Sequence, residues 1–259
     1  YLEDTTTKIA EDETIEGKVG EQYTTNQAQL EAQYELVEVP ENANGIMLRK
    51  QTIVTYYYRL KKYPYTINYL EKGTNQVLHT AKIGEEQTWG TVINTADEVI
   101  EIDGYIYDSA DKENLSISTG ENIINIYYTK KNAKVTVHYY EENTTNKVSE
   151  DIEINGKVND DYNTTIADDI PSKYELVSEP ENKSGKMTEE EIIVTYYFRK
   201  KETQVNVHYY EEGTINKLSE DIIIKGKVDD TYTTESATDV PIKYELVAEP
   251  ENKAGTMTE

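Results

Sequence analysis

The sequence predicts a mainly β protein (minor α) made of tandem repeats of about 70 residues that form an elongated rod. Two observations carry this prediction. Short blocks rich in Tyr, Val and Ile alternate with polar turns, which is typical of β-strands. The segment VHYYEENTTNKVSEDIEINGKV, which begins at Val137, returns as VHYYEEGTINKLSEDIIIKGKV at Val207, and 207 − 137 gives a period of 70 residues. A fixed period of this size indicates a tandem array.

Self-comparison divides the chain into four units, called repeats one to four below. The predicted boundaries are 1–62 for repeat one, 63–131 for the divergent repeat two, 132–201 for repeat three and 202–259 for repeat four. Tyr1 aligns with Tyr140, so repeat one is expected to lack its first strand, and repeat four is expected to lack its last. We therefore expect the sequence to be a fragment of a longer array.

Repeat three defines the elements in order. The pattern predicts strands at 135–140, 147–154, 174–177 and 192–198, with a turn at 180–185. The Asp-rich stretch 159–170 has room for one short helix before Pro171. The linkers 59–64 and 199–204 are short and contain no Gly/Ser tract, which predicts restricted bending between repeats.

Comparison of the repeats predicts which face of the last strand is buried, because strand side chains alternate between two faces. One set of aligned positions is always apolar or aromatic and is predicted to face the core: Val54, Tyr56, Tyr58, Ile124, Ile126, Tyr128, Val194, Tyr196 and Phe198. The intervening positions admit Thr and Asn and are predicted to face water. They place Tyr57, Tyr127 and Tyr197 outward.

Composition excludes several classes of protein. The formal charge of −24 would repel a nucleic-acid backbone, and the lack of cysteine excludes disulfides and cysteine-ligated zinc. No run of residues is long and apolar enough to suggest membrane contact by this segment. The three histidines are His79, His138 and His208, and the last two occupy one repeat position rather than forming a pair. No catalytic constellation follows, so we predict that the segment is not an enzyme.

Acidic pairs raise the question of calcium. Asp160-Asp161 and Asp168-Asp169 lie in predicted loops and could bind the ion with turn carbonyls, although no EF-hand spacing is present. The alternative is a solvated, self-repelling surface. We therefore expect no cofactor, with calcium at the junctions between repeats as the alternative.

The ordered motifs resemble the MucBP (mucin-binding protein) repeat. They are a VxVxYY-type strand, Ile154-Asn155-Gly156-Lys157-Val158 with Tyr162, and a closing Val194-Thr195-Tyr196-Tyr197-Phe198 strand. Repeats one and four follow the pattern, whereas Gln87 and Trp89 replace the Tyr-Thr-Thr stretch in repeat two. The resemblance implies a β-grasp-like fold in a secreted, wall-anchored surface adhesin of a Gram-positive bacterium. It also implies attachment to host mucin or other glycoprotein glycans.

The candidate binding residues are the outward tyrosines Tyr57, Tyr127 and Tyr197, together with Tyr140 and Tyr210 on the first strands. Such rings can stack on sugars, and the alternative is that they stabilise the sheet by cross-strand pairing. Because the chain is acidic, neutral sugars or a bridging cation are expected to carry any mucin contact. The alternative function is a stalk that projects a separate binding domain. The incomplete terminal repeats also suggest end-to-end self-association.

Overall fold

A computed structural model describes all residues, 1–259, and consists of twenty strands and one 3-10 helix. The chain divides into two compact units, Tyr1–Lys130 and Lys131–Glu259. The single helix has four residues, so no helix in the protein could cross a membrane. The mainly β prediction is confirmed.

The first unit holds repeats one and two. Repeat one contains β1 (Gln22–Thr24), β2 (Tyr34–Leu36), β3 (Asn44–Ile46) and β4 (Tyr58–Leu60). Repeat two begins with β5 (Lys62–Glu71), β6 (Val77–Thr88) and β7 (Val92–Asn94), followed directly by the 3-10 helix Thr95–Glu98. It continues with β8 (Tyr105–Ala110), β9 (Asn114–Ser116) and β10 (Ile123–Lys130).

The second unit holds repeats three and four. Repeat three contains β11 (Asn132–Glu141), β12 (Ile152–Lys157), β13 (Asp161–Asn163), β14 (Tyr174–Ser178), β15 (Ser184–Lys186) and β16 (Ile192–Lys200). Repeat four contains β17 (Glu202–Val207), β18 (Ile222–Lys227), β19 (Thr231–Thr233) and β20 (Ala254–Thr256).

Repeats two and three each form a four-stranded mixed sheet with the same topology. The strand orders are β6-β5-β10-β8 and β12-β11-β16-β14. In both sheets the first and last strands lie side by side at the centre and run parallel, while the outer strands pair antiparallel with them. A small antiparallel pair accompanies each sheet, β7 with β9 and β13 with β15. Repeat two therefore keeps the topology of repeat three although its sequence has diverged.

Tyrosine rings form a large part of both cores. Tyr139 and Tyr196 stack with their centroids 5.6 Å apart, and both are almost fully buried. The Tyr139 hydroxyl donates to the Thr165 carbonyl at 2.9 Å, and the Tyr196 hydroxyl to that of Thr164 at 3.0 Å. A buried ring thus gains hydrophobic burial without leaving its hydroxyl unpaired. In repeats two and three every position predicted to face the core on the last strand is buried, which confirms the prediction for these repeats. In repeat one Tyr58 is buried, but Val54 and Tyr56 are half-buried and precede β4.

Two predictions about elements are wrong. No helix forms within 159–170, because part of that stretch is strand β13, which pairs with β15, and the Thr164 N–H donates to the Lys183 carbonyl. The second strand begins at Ile152 instead of 147, since Lys147 makes only an isolated bridge to Tyr140.

Connections within each unit are shorter than predicted. Only Lys61 separates β4 from β5, and only Lys201 separates β16 from β17. The Lys201 N–H donates to the Lys173 carbonyl, and the Lys201 carbonyl accepts from the Val228 N–H. The expected linkers are therefore mostly strand. The extended rod and the β-grasp assignment stay predictions.

Candidate functional site

The outer face of the central strands in repeat three is defined here as the side of β11 and β16 that points away from the core. Alternation along the strands places these side chains on it: Lys134, Thr136, His138, Tyr140, Ile193, Thr195, Tyr197 and Arg199. Tyr197 is 45% exposed and Tyr140 is half-buried. The structure thus places both predicted tyrosines on one accessible surface.

Tyr140 and Tyr197 are direct register partners across the parallel strands β11 and β16. We call two outer-face residues in this relation a tyrosine pair. In repeat one, Leu2 bridges to Tyr58 in parallel, and the Tyr58 N–H donates to the Tyr1 carbonyl at 2.9 Å. This register sets Tyr1 beside Tyr57, and both are exposed. The same arrangement therefore occurs in two repeats.

Repeat two departs from this pattern. The register partner of Tyr127 is Leu70 rather than a tyrosine, and Tyr127 is half-buried, whereas Tyr57 and Tyr197 are exposed. The neighbouring outer-face positions carry Asn68, whose amide donates to Asn125 at 2.8 Å, and Asn125 in turn donates to Asp111 at 2.9 Å. Here the outer face holds an amide network and one tyrosine.

Next to the tyrosine pair, one carboxylate joins a histidine and a lysine. Asp151 Oδ1 lies 2.9 Å from His138 Nδ1, and Asp151 Oδ2 lies 2.8 Å from Lys147 Nζ. The His138 and Tyr140 rings are 5.5 Å apart. His138 and then Lys147 hold the pKa of the Asp151 carboxyl below its usual range, because both favour the charged form.

Repeat four contains the same cluster. His208 Nδ1 lies 3.0 Å from Asp221 Oδ1, Lys217 Nζ lies 3.3 Å from that oxygen, and the His208 ring is 5.9 Å from the ring of Tyr210. His208 is likewise the main reason why the pKa of Asp221 is lowered. Tyr210 is 50% exposed. We call this arrangement of His, Asp and Lys beside a first-strand tyrosine the His-Asp-Lys cluster.

The other charges on the outer face of repeat three are also paired. Arg199 Nε lies 2.7 Å from Glu175, and Lys134 Nζ lies 3.1 Å from Glu153 and 2.9 Å from Glu191. A hydrogen bond from Thr136, followed by the bond from Lys134, lowers the pKa of Glu191. The cations on this surface are therefore already neutralised by carboxylates of the same repeat.

The acidic pairs considered for calcium lie among polar partners. Asp161 forms an ion pair with Lys186 at 2.8 Å, and Asp169 accepts from the Ser149 hydroxyl at 2.5 Å. No group of three or more His, Asp or Glu side chains converges in a geometry that could hold a metal ion. Asp161 and Asp169 each accept from a neighbouring side chain of the same repeat.

Three of the residues at this surface were not picked out from the sequence: Tyr1, Lys147 and Asp151. A signal for the last two was present, since Lys-x-x-x-Asp recurs as Lys8 with Asp12 and as Lys217 with Asp221. In repeat one that spacing also gives an ion pair, of 3.3 Å. Tyr1 could have been inferred from its alignment with Tyr140.

Comparison with known proteins identifies the repeats. The MucBP domain matches residues 1–59, 134–199 and 204–259, which is well over half of the chain. The chain belongs to the MucBP domain family. Residues 60–133, which include all of repeat two, fall outside these matches.

Two curated relatives are forms of Internalin J from Listeria monocytogenes. One is 30% identical over 267 residues, covering 99% of this chain and 28% of the relative. The other is 31% identical over 275 residues, covering 100% of this chain and 30% of the relative. The chain thus spans less than a third of the length of these relatives.

The solved structures matched include the Bacillus anthracis TIE protein, with a TM-score of 0.46 and 13% identity over 83% of this chain and 53% of that one. A type 2 repeat of the mucus binding protein MUB from Lactobacillus reuteri has a TM-score of 0.21 and 15% identity over 53% of this chain and 99% of that one. The family and the sequence relatives are of the bacterial surface-adhesin type. The chain is a tandem-repeat segment of this cell-surface adhesin type.

Proposed function

We propose that the segment attaches a bacterial surface to mucin-type glycans through weak contacts that are repeated along the chain. The observation that carries the proposal is the tyrosine pair of Tyr140 and Tyr197, with its counterpart of Tyr1 and Tyr57. Aromatic side chains that stay at least partly exposed, in register on a sheet face, suit recognition better than packing, because part of their hydrophobic area is not buried in the core.

The dimensions of the pair fit a sugar. Neighbouring strands lie about 4.8 Å apart, so two outward rings in register form a platform roughly as wide as one pyranose. The apolar face of the sugar would lie on the rings. Thr195 and His138, which are themselves register partners on the same face, would meet its hydroxyl groups.

Repetition supplies the strength that one such site lacks. A platform of one or two rings gives weak binding, but linked copies convert later contacts into intramolecular ones and raise the overall affinity. The candidate contacts are distributed over all four repeats: Tyr57, Tyr127, Tyr197, Tyr140 and Tyr210. Truncated arrays should consequently bind less tightly than the whole chain.

Binding of the whole chain to immobilised mucin tests the proposal. Replacing Tyr57, Tyr127, Tyr197, Tyr140 and Tyr210 together by Ala should lower the apparent affinity at least about tenfold, because each repeat loses a stacking surface. The matched control is Ile215→Ala with Ile242→Ala, two highly exposed apolar side chains in loops. Equal binding by the tyrosine variant and the unmodified chain would contradict the site.

A stalk without its own ligand is the second candidate function. It is favoured by the one-residue connections at Lys61 and Lys201, whose backbone groups are hydrogen-bonded to both flanking repeats. Under this alternative the unmodified chain would not bind mucin, with or without calcium and before or after sialidase treatment.

A further inference from the structure

We infer that the ligand of the outer face is a neutral pyranose, and that the imidazole groups of His138 and His208 bind one of its hydroxyls. This inference rests on the proposed function and adds to it a ligand class and two binding residues outside the tyrosine set. It follows from the geometry of the His-Asp-Lys cluster.

In each cluster a carboxylate lies beside Nδ1 of the imidazole, and Nε2 faces away from that carboxylate. Asp151 Oδ1 lies 2.9 Å from Nδ1 of His138, and although the two atoms are not aligned for a hydrogen bond, the adjacent negative charge favours the tautomer that carries its proton on Nδ1. Nε2 lies on the opposite side of the ring, directed away from Asp151, and in that tautomer it accepts a hydrogen bond. A sugar hydroxyl can donate that bond.

The cluster occurs together with a first-strand tyrosine. Repeats three and four have His138 with Tyr140 and His208 with Tyr210, with ring separations of 5.5 and 5.9 Å. In repeat two the corresponding register positions hold Asn68, Leu70 and Val77, so the histidine, the tyrosine and the lysine are all absent. The first-strand tyrosine and the imidazole are thus present together or absent together, while the last-strand Tyr127 is kept in repeat two without either of them.

The charges around the site favour a neutral sugar over an acidic one. The basic side chains that flank the tyrosine pair are already bound to carboxylates, Lys147 to Asp151 at 2.8 Å and Arg199 to Glu175 at 2.7 Å. A sialic acid or sulfate group would have to displace one of these carboxylates while entering a field set by a net charge of −24. A neutral pyranose needs only the ring surface and hydroxyl partners.

Imidazole nitrogen resonances of the whole chain test the ligand class directly. The probes are methyl β-galactoside, methyl β-N-acetylglucosaminide and N-acetylneuraminic acid, each titrated at neutral pH. We expect a neutral glycoside to shift the Nε2 resonances of His138 and His208 with little change at Nδ1, and N-acetylneuraminic acid to leave them unchanged. His79, which packs its ring edge-on against Tyr69, is the internal control.

The variant that tests the two imidazoles combines His138→Asn with His208→Asn. Asn keeps a polar group near the position of Nδ1 and lacks Nε2, and Asn68 shows that the fold accommodates it at this position. Loss of one hydrogen bond in each of two repeats should weaken mucin binding about three- to tenfold. Sialidase treatment of the mucin should leave binding unchanged or strengthen it.

The outcomes separate this inference from the proposed function. Mucin binding that disappears in the tyrosine variant but is unchanged in the histidine variant overturns the inference alone. The inference is also overturned if N-acetylneuraminic acid shifts the imidazoles and the neutral glycosides do not, or if sialidase abolishes binding. An unmodified chain that binds neither mucin nor any glycoside overturns both. Should the histidine variant fail to fold, the titration of the unmodified chain still decides the question.

Discussion

At the scale of single residues, the glycines of the recurring motif make room for methionines. A Cβ on Gly156 would lie 2.6 Å from Met187 Sδ, and one on Gly226 would lie 2.5 Å from Met257 Sδ. Real Cβ atoms do not approach sulfur this closely, so any larger residue must push the methionine out of its buried position. Met187 and Met257 are 3% and 4% exposed, which leaves them little room to move.

Substitution of Gly156 by Ala should therefore destabilise repeat three by about 1–3 kcal/mol, the usual cost of overpacking a core. Gly120→Ala is the control, since its nearest neighbour would be Ser118 Oγ at 3.8 Å. Urea unfolding followed by circular dichroism compares the two. Equal midpoints for both variants would show that Met187 adapts without cost.

The outward direction of Tyr57, Tyr127 and Tyr197 was predictable because each repeat supplies an independent example of the same strand. When the last strands of the repeats are aligned, one face accepts Asn and the other carries only apolar or aromatic residues, so the two faces can be told apart. The partner of Tyr197 was not predictable in this way. Its pairing with Tyr140 depends on the register between two strands that lie more than fifty residues apart, and alternation within one strand leaves that register open.

At the scale of elements, the strands of repeat three with strong β composition were predicted well, and its short polar strands were not. β11 and β16 cover the predicted blocks and extend them by a few residues. β13 and β15 are polar and have three residues each. They form because the backbones of 161–163 and 184–186 pair with each other. The composition of 159–170 suggested a helix, but the pairing of β13 with β15, which are far apart in sequence, determines its structure.

The acidic member of the His-Asp-Lys cluster should make stability depend on pH. The pKa of Asp151 is lower in the folded protein than its ordinary value of 3.8, so its interactions with His138 and Lys147 stabilise the fold above that value. This contribution is lost as the pH falls through the lowered pKa. Asp151→Asn should lower the urea midpoint at pH 7, and the difference from the unmodified chain should shrink below about pH 3.8.

The control for that measurement is Asp161→Asn, which removes a surface carboxylate of the same repeat whose side chain is 82% exposed. A midpoint difference for Asp151→Asn that is the same at pH 7 and at pH 3 would contradict the electrostatic explanation.

At the scale of the whole molecule, the contacts between repeats three and four suggest that they move together. Asp229 of repeat four lies 2.7 Å from Lys173 and 3.2 Å from Lys200 of repeat three, and these lysines lower the pKa of its carboxyl. The hydrogen bonds of Lys201 to Lys173 and Val228 add backbone continuity. The junction within the second unit is therefore held by both charge and backbone.

Asp229→Asn should loosen this junction, and 1 M NaCl should have a similar effect on the unmodified chain because the ion pairs are exposed. Hydrogen exchange followed by mass spectrometry should show faster exchange in β18, with β11 unaffected. Lys186→Gln, which breaks an ion pair away from the junction, is the control. Unchanged exchange in β18 under both conditions would mean that the backbone bonds alone hold the junction.

The parallel central strands of repeats two and three also determine how these repeats carry tension. The chain enters each four-stranded sheet on one central strand and leaves on the other, and the two are joined over six register positions in β5 with β10 and seven in β11 with β16. Pulling on the two ends of such a repeat draws parallel neighbours in opposite directions along their length. Their hydrogen bonds are then loaded in shear, all at once, instead of being peeled apart one after another. A surface protein held at one end and dragged by flow at the other meets this direction of force.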